Sequence, residues 1–97
     1  MMDDSNNVEI FSDLSFGAFI ASLATSAFLQ LGEGQTDEHV PPSINLPLAK
    51  QSIELIGMLR EKTRGNLTVE EQKFMDEVLY ELRFRYLKVS NAEKSIQ

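Results

Sequence analysis

Apolar positions follow helical spacing in three stretches of the chain, and nowhere do they alternate as in a strand. In the last stretch Phe74, Met75, Val78, Leu79, Leu82, Tyr86 and Val89 fall in one stripe when successive residues are turned by about 100°. In the middle stretch Leu48, Ala49, Ile53, Leu55, Ile56 and Leu59 cover nearly half the circumference, leaving Lys50, Glu54 and Glu61 as a polar strip. The first stretch is of another kind, because Leu14 to Gly32 is nineteen consecutive residues without a charge, twelve of them apolar. The pattern predicts an all-α protein built from an uncharged N-terminal helix and an antiparallel helical hairpin. It forms a single domain over residues 1–97, with a frayed N-terminus at 1–11, helices at 12–32, 46–64 and 68–89, a linker at 33–45 and a tail at 90–97.

The boundaries rest on end signals. Ser12 or Ser15 can cap the first helix, Asp13 suits the positive end of its dipole, and Gly32 stops it. Asn45 caps the second helix, Pro47 is tolerated in its first turn, Arg60, Lys62 and Arg64 suit its negative end, and Gly65 terminates it. Thr68-Val69-Glu70-Glu71 is a capping box, in which the Thr68 hydroxyl accepts from the Glu71 N–H and the Glu71 carboxylate accepts from the Thr68 N–H. So short a connection forces the second and third helices into an antiparallel hairpin. At about 1.5 Å per residue the three helices match at roughly 28–31 Å. The linker, with Gly34, Pro41 and Pro42, reads as having no structure of its own. At roughly 3.3–3.6 Å per residue it reaches about 45 Å, enough for the first helix to pack on its own hairpin or on that of a partner.

Each helix carries more apolar surface than one neighbour covers. On the third helix Tyr80, Phe84 and Leu87 stack opposite the hairpin stripe, with Val69 aligned further up. Either the first helix covers this patch inside one core, or a second subunit does. The first helix shows a stripe of large residues, Phe16, Phe19, Ile20, Leu23 and Leu31, opposite small ones, Gly17, Ala18, Ala21, Ala24 and Thr25, that admit another helix closely. Ser15, Ser22 and Ser26 form its only polar seam. A helix with no charged face is enclosed by protein on most sides or lies in a membrane. Its length just meets that of a span, but it contains hydroxyl residues and Gln30, and its flanks are Asp13 and Glu33 with no Lys or Arg to anchor it. Protein burial is therefore the favoured alternative, and a homo-oligomer supplies the missing cover. The candidate contact residues are Phe16, Gly17, Phe19, Ile20, Ala21, Leu23, Ala24 and Phe28 on the first helix, with Tyr80, Phe84 and Leu87 on the third.

Charge sharpens this division. Residues 1–49 carry seven acids and no Lys or Arg, while residues 50–97 carry eight acids and nine bases, so the net charge of −6 belongs to the first half. A net-negative chain lacks the concentrated basic surface that nucleic acid requires, and Arg60, Lys62 and Arg64 lie at the opposite end of the hairpin from Arg83, Arg85 and Lys88. Without Cys there is no disulfide, no thiolate nucleophile and no cysteine-based metal site. Met1-Met2-Asp3-Asp4 is the reverse of the basic opening of a signal peptide, so the expected location is cytoplasmic.

No constellation for chemistry stands out. His39 is the only histidine and sits in the linker beside Asp37 and Glu38, where a solvated loop is the expectation and a metal would need ligands from elsewhere. Gly32-Glu33-Gly34 lacks the third glycine and the preceding strand of a dinucleotide fingerprint. Asn66-Leu67-Thr68 fits a turn and cap better than a glycosylation site. Glu81 precedes Arg85 by four residues, the better order for a surface ion pair. An enzyme would need a site formed between subunits, with Arg83, Arg85 or Tyr86 facing a cleft.

The runs Ile53-Glu54-Leu55 through Leu59, Glu61 through Thr68 with Glu70-Glu71, and Leu79 through Tyr86 resemble a small bacterial family, domain of unknown function 1844. Phe16, Phe19 and Ser22-Leu23-Ala24-Thr25-Ser26-Ala27 leading to Leu31-Gly32 add to it, so that the resemblance covers about residues 11–88. Its most specific part is the turn from Lys62 to Thr68, and the linker matches least. The resemblance implies a helical domain of unassigned activity. The expectation is a non-enzymatic homo-oligomerising interaction or accessory-subunit module, first of all a dimer, whose partner is itself or another protein. No nucleic acid, cofactor or metal is expected. The alternative is a membrane-associated protein anchored through residues 14–32.

Overall fold

The computed structural model describes residues 15–35, 39 and 42–96. The expected frayed segment at 1–11 and the first residues assigned to the first helix, 12–14, lie outside the described residues. Three helices follow in order, α1 Phe16–Gln30, α2 Leu46–Lys62 and α3 Val69–Ile96, and there is no strand among the described residues.

The hairpin forms as its end signals require. Asn45 caps α2, its side chain accepting from the Leu48 N–H at 3.0 Å, and Thr63 closes the other end. Gly65 takes φ 83°, a left-handed value that a β-carbon disfavours. The capping box is complete, with Glu71 N–H to Thr68 Oγ1 at 3.0 Å and Thr68 N–H to Glu71 Oε1 at 2.9 Å.

α3 departs from expectation, continuing through the stretch assigned to a tail at 90–97 as far as Ile96. Ser90 and Asn91 resemble a stop, but neither Gly nor Pro follows, while Ala92, Glu93 and Lys94 favour helix and Lys94 suits the negative end of the dipole. The three helices are therefore unequal, at 15, 17 and 28 residues, and α3 runs on past the hairpin.

Ser15 caps α1, accepting from the Ala18 N–H at 3.2 Å. The far end closes in a Schellman motif: Glu33 N–H donates to Phe28 O and Gly32 N–H to Leu29 O, both at 2.9 Å, with Gly32 at φ 91°. The linker is more structured than its composition suggests. The Gln35 side-chain amide donates to Leu29 O and Ser43 O, both at 2.9 Å, and its Oε1 accepts from Ser43 N–H at 2.8 Å. Asn45 N–H then donates to Gln30 O at 2.8 Å, so the end of α1 is tied to the start of α2 and the reach of the linker goes unused. α1 packs on its own hairpin, touching both helices.

One seam from each helix meets in the core. α1 contributes Ile20, Ala24, Ala27 and Leu31; α2 contributes Ala49, Ile53 and Ile56; α3 contributes Met75, Leu79 and Leu82. Phe74, Val78, Tyr86 and Val89 flank the seam on α3 as the stripe predicts. On α1 the buried face is neither the stripe of large residues nor the small face opposite. It runs between them, since Ile20 and Leu31 come from the first set and Ala24 from the second, and Phe19 points outward. The outward face of α1 carries Ser22, Thr25 and Ser26 with Phe19 and Leu29, and Thr25 Oγ1 donates to Ala21 O at 2.9 Å. Hydroxyls thus do on this helix what charges do on the others. Between α1 and α2, Ser52 Oγ donates to Gln30 Oε1 at 2.8 Å beside the core.

A β-carbon at Gly32 would lie 3.1 Å from Ile44 Cγ1 in a left-handed backbone, so Gly32→Ala is expected to cost about 1–3 kcal/mol. Ala27→Leu, at a fully buried position of the seam, overpacks it at about 1–3 kcal/mol. Urea unfolding followed by circular dichroism measures both, with Ser22→Ala on the exposed face expected to move stability by less than about 0.5 kcal/mol.

Candidate functional site

The most exposed large apolar side chains among the described residues stand on the outer face of α3. Tyr80, Phe84 and Leu87 are 71%, 49% and 59% exposed, and Val69, on the same line of the helix, is 81% exposed. α1 does not cover them. It lies on the other side of α3, where the Arg85 guanidinium sits 5.8 Å from the centre of the Phe28 ring. Of the two ways to cover this patch, burial by the first helix of the same chain is the one the structure removes.

Spacing by four residues places the Tyr80 and Phe84 rings together, with centroids 6.4 Å apart and planes 6° from parallel. Lys88, four residues further on, brings its Nζ to 5.6 Å from the centre of the Phe84 ring, within reach of a cation–π contact. Beside this strip runs an open groove of about 370 Å³ between α2 and α3, lined by Arg60, Asp76, Leu79, Tyr80, Arg83, Phe84 and Leu87. A second hollow of about 440 Å³ continues past Arg83 along Lys50, Ile53, Glu54, Tyr86 and Leu87. Arg83 separates the two, and a β-carbon at Gly57 would come within 3.3 Å of its guanidinium. The sequence signal for this approach is Gly57 itself, because a glycine inside a helix costs about 1 kcal/mol relative to Ala.

The charged groups here are structural partners of one another. Arg60 Nε meets Asp76 Oδ1 at 2.6 Å, joining α2 to α3 across the groove. This bond holds the Asp76 carboxyl below the usual aspartate range, with Gln72 adding a second donor. Arg85 meets Glu81 Oε2 at 2.6 Å, the expected pair, and also Glu33 Oε2 at 2.8 Å, which links α3 to the end of α1. These contacts raise the Arg85 pKa, Glu81 first and Glu33 second. At the hairpin turn Arg64 lowers the Glu61 pKa in the same way. These shifts all favour the charged form, as surface ion pairs do. Arg83, Arg85 and Tyr86 do not converge, since Arg83 and Tyr86 line the second hollow and Arg85 is held on the side facing α1. Among the described residues no group of three His, Asp or Glu could hold a metal ion.

The predicted contact residues of α1 divide. Ile20 and Ala24 belong to the chain's own core and are not available to a partner in this fold. Phe16, Leu23 and Phe28 pack partly against that core, Gly17 and Ala21 are half-buried, and Phe19 alone of the set is largely exposed. On α3, Tyr80, Phe84 and Leu87 stand together on one uncovered strip.

The family model for a domain of unknown function, DUF1844, matches residues 13–88. The chain belongs to DUF1844. The matched DUF1844 region takes in α1, the linker, α2 and the greater part of α3, with the aromatic strip and its groove inside it. The last turns of α3 lie beyond the matched residues. No curated protein and no solved structure matches the chain. Among the described residues no helix is long and apolar enough to cross a membrane. α1, assigned the length of a span from sequence, is shorter because Ser15 caps its start and the Schellman turn at Gly32 closes its far end.

Because the folded Asp76 pKa is lowered, its ionised carboxylate adds stability above the unfolded pKa, and that contribution is lost as pH falls through the folded value. Arg60→Gln is expected to return the Asp76 titration toward the usual aspartate range. Carboxyl NMR titration should show this, and the stability gap between the two proteins should close as pH falls from that range through the lowered wild-type value.

Proposed function

We propose that this DUF1844 protein is a non-enzymatic, homo-oligomerising helical interaction module whose working surface is the outer face of α3. The observation that carries the proposal is the strip of Tyr80, Phe84 and Leu87, three large side chains left at least half exposed or nearly so on a helix that α1 does not reach. A contiguous apolar strip rimmed by charges is what protein contacts use, with aromatic residues at the centre and polar groups outside. The Arg60–Asp76 ion pair beside it is mutually satisfied, which supports a binding role over a chemical one. Against membrane anchoring through residues 14–32 stand the absence, among the described residues, of a helix long and apolar enough to cross a membrane and the burial of one seam of α1 against the hairpin.

Sedimentation velocity at micromolar concentration tests the proposal. The wild-type chain is expected to run above its 11.0 kDa monomer mass, and Phe84→Ser with Leu87→Ser to run as a monomer of unchanged helicity. A well-folded wild-type monomer would overturn it.

A further inference from the structure

We propose that the self-association is an isologous dimer in which two α3 helices pack antiparallel through their outer strips, with Tyr80 opposite the partner's Phe84. The inference rests on the function proposed above and specifies its geometry. It comes from how charge is distributed along the strip on either side of the aromatic pair.

Before the pair the exposed line of α3 carries Glu70, Asp76 and Glu77, with Lys73 as the one cation; after it come Lys88 and Lys94, with Asn91 between them. Arg83 is turned toward Gly57 of α2 and so leans off the strip. An acidic half followed by a basic half cannot pair with itself in parallel, where Glu77 would face its own copy. Reversal brings the acidic half of each helix against the basic half of the other, and a twofold axis makes both contacts at once.

The register follows from the rings. Glu77 lies three residues before Tyr80 and Lys88 four after Phe84, so placing Tyr80 opposite the partner's Phe84 sets Glu77 beside the partner's Leu87 and Lys88. Lys73 then falls opposite the partner's Asn91, which is neutral, and Glu70 lies toward the partner's Lys94. The turns of α3 beyond the hairpin thereby gain a role, because they carry Asn91 and Lys94 to the other subunit. Among the described residues neither Glu77 nor Lys88 makes an ion pair in its own chain, and Lys88 already lies over the Phe84 ring, at the strip where the contact forms. Asp76, already held by Arg60, contributes less to the pairing.

Charge reversal with mixing is the test. Glu77→Lys and Lys88→Glu are each expected to raise the homodimer Kd about tenfold, because symmetry converts two attractive contacts into two repulsive ones. Mixing the two variants in equal amounts is expected to restore wild-type association, since every reversed charge then meets its opposite. Circular dichroism of each variant checks that both exposed substitutions leave the helices intact. Variants that dimerise like wild type, or that weaken without recovery on mixing, would overturn the antiparallel arrangement while self-association itself stands. A wild-type protein that stays monomeric would overturn the function proposal and this inference together.

Discussion

The seam in which Ala24, Ala27 and Ala49 let α1 lie against α2 is the contact on which the rest of the molecule depends. All three are buried in one core with Ile20, Leu31, Ile53 and Ile56, and their small side chains leave room for the helices to approach closely. Close approach brings Ser52 within hydrogen-bonding distance of Gln30 and the Asn45 N–H onto the Gln30 carbonyl. It also leaves α1 over the inner side of α3, where Phe28 meets Arg85, and away from the outer side. A small core of this kind saturates quickly. Each helix supplies one line of buried residues with partly buried ones packed beside it, and the apolar side chains beyond these stay exposed in this arrangement of the chain.

Two cross-links hold the outer parts in register with this seam. Arg60 and Asp76 join the hairpin helices, and Arg85 reaches both Glu81 of its own helix and Glu33 just past the end of α1. Exposed pairs contribute little energy individually, and their effect here is geometric. Arg60 and Asp76 form one wall of the groove while Tyr80 and Phe84 form its rim, so the polar link and the aromatic stack are positioned together. The same helix thus presents a core face, a face tied to α1 and a face left exposed.

Much of the candidate surface is legible in the sequence because α3 mixes charges with apolar residues. Its spacing separates Met75, Leu79 and Leu82 from Tyr80, Phe84 and Leu87 without reference to any neighbour. α1 offers no such contrast. With no charge on any side, its periodicity cannot say which side is buried, and the chosen line takes residues from both the large and the small set. Gln35 shows the same difficulty in the linker, since nothing in its local sequence indicates that its amide will bridge Leu29 and Ser43.

The sequence by itself determined the helical class, the hairpin, its capping box and glycine turn, and the aromatic strip opposite the hairpin stripe. These depend on interactions within a few residues or on a contrast repeated along one helix. Only the tertiary structure decided which side of α1 is buried, how the linker closes, and that α1 leaves the outer face of α3 bare. Each of those depends on which uncharged surfaces fit most closely, and shape complementarity between distant segments leaves no periodic mark in either one.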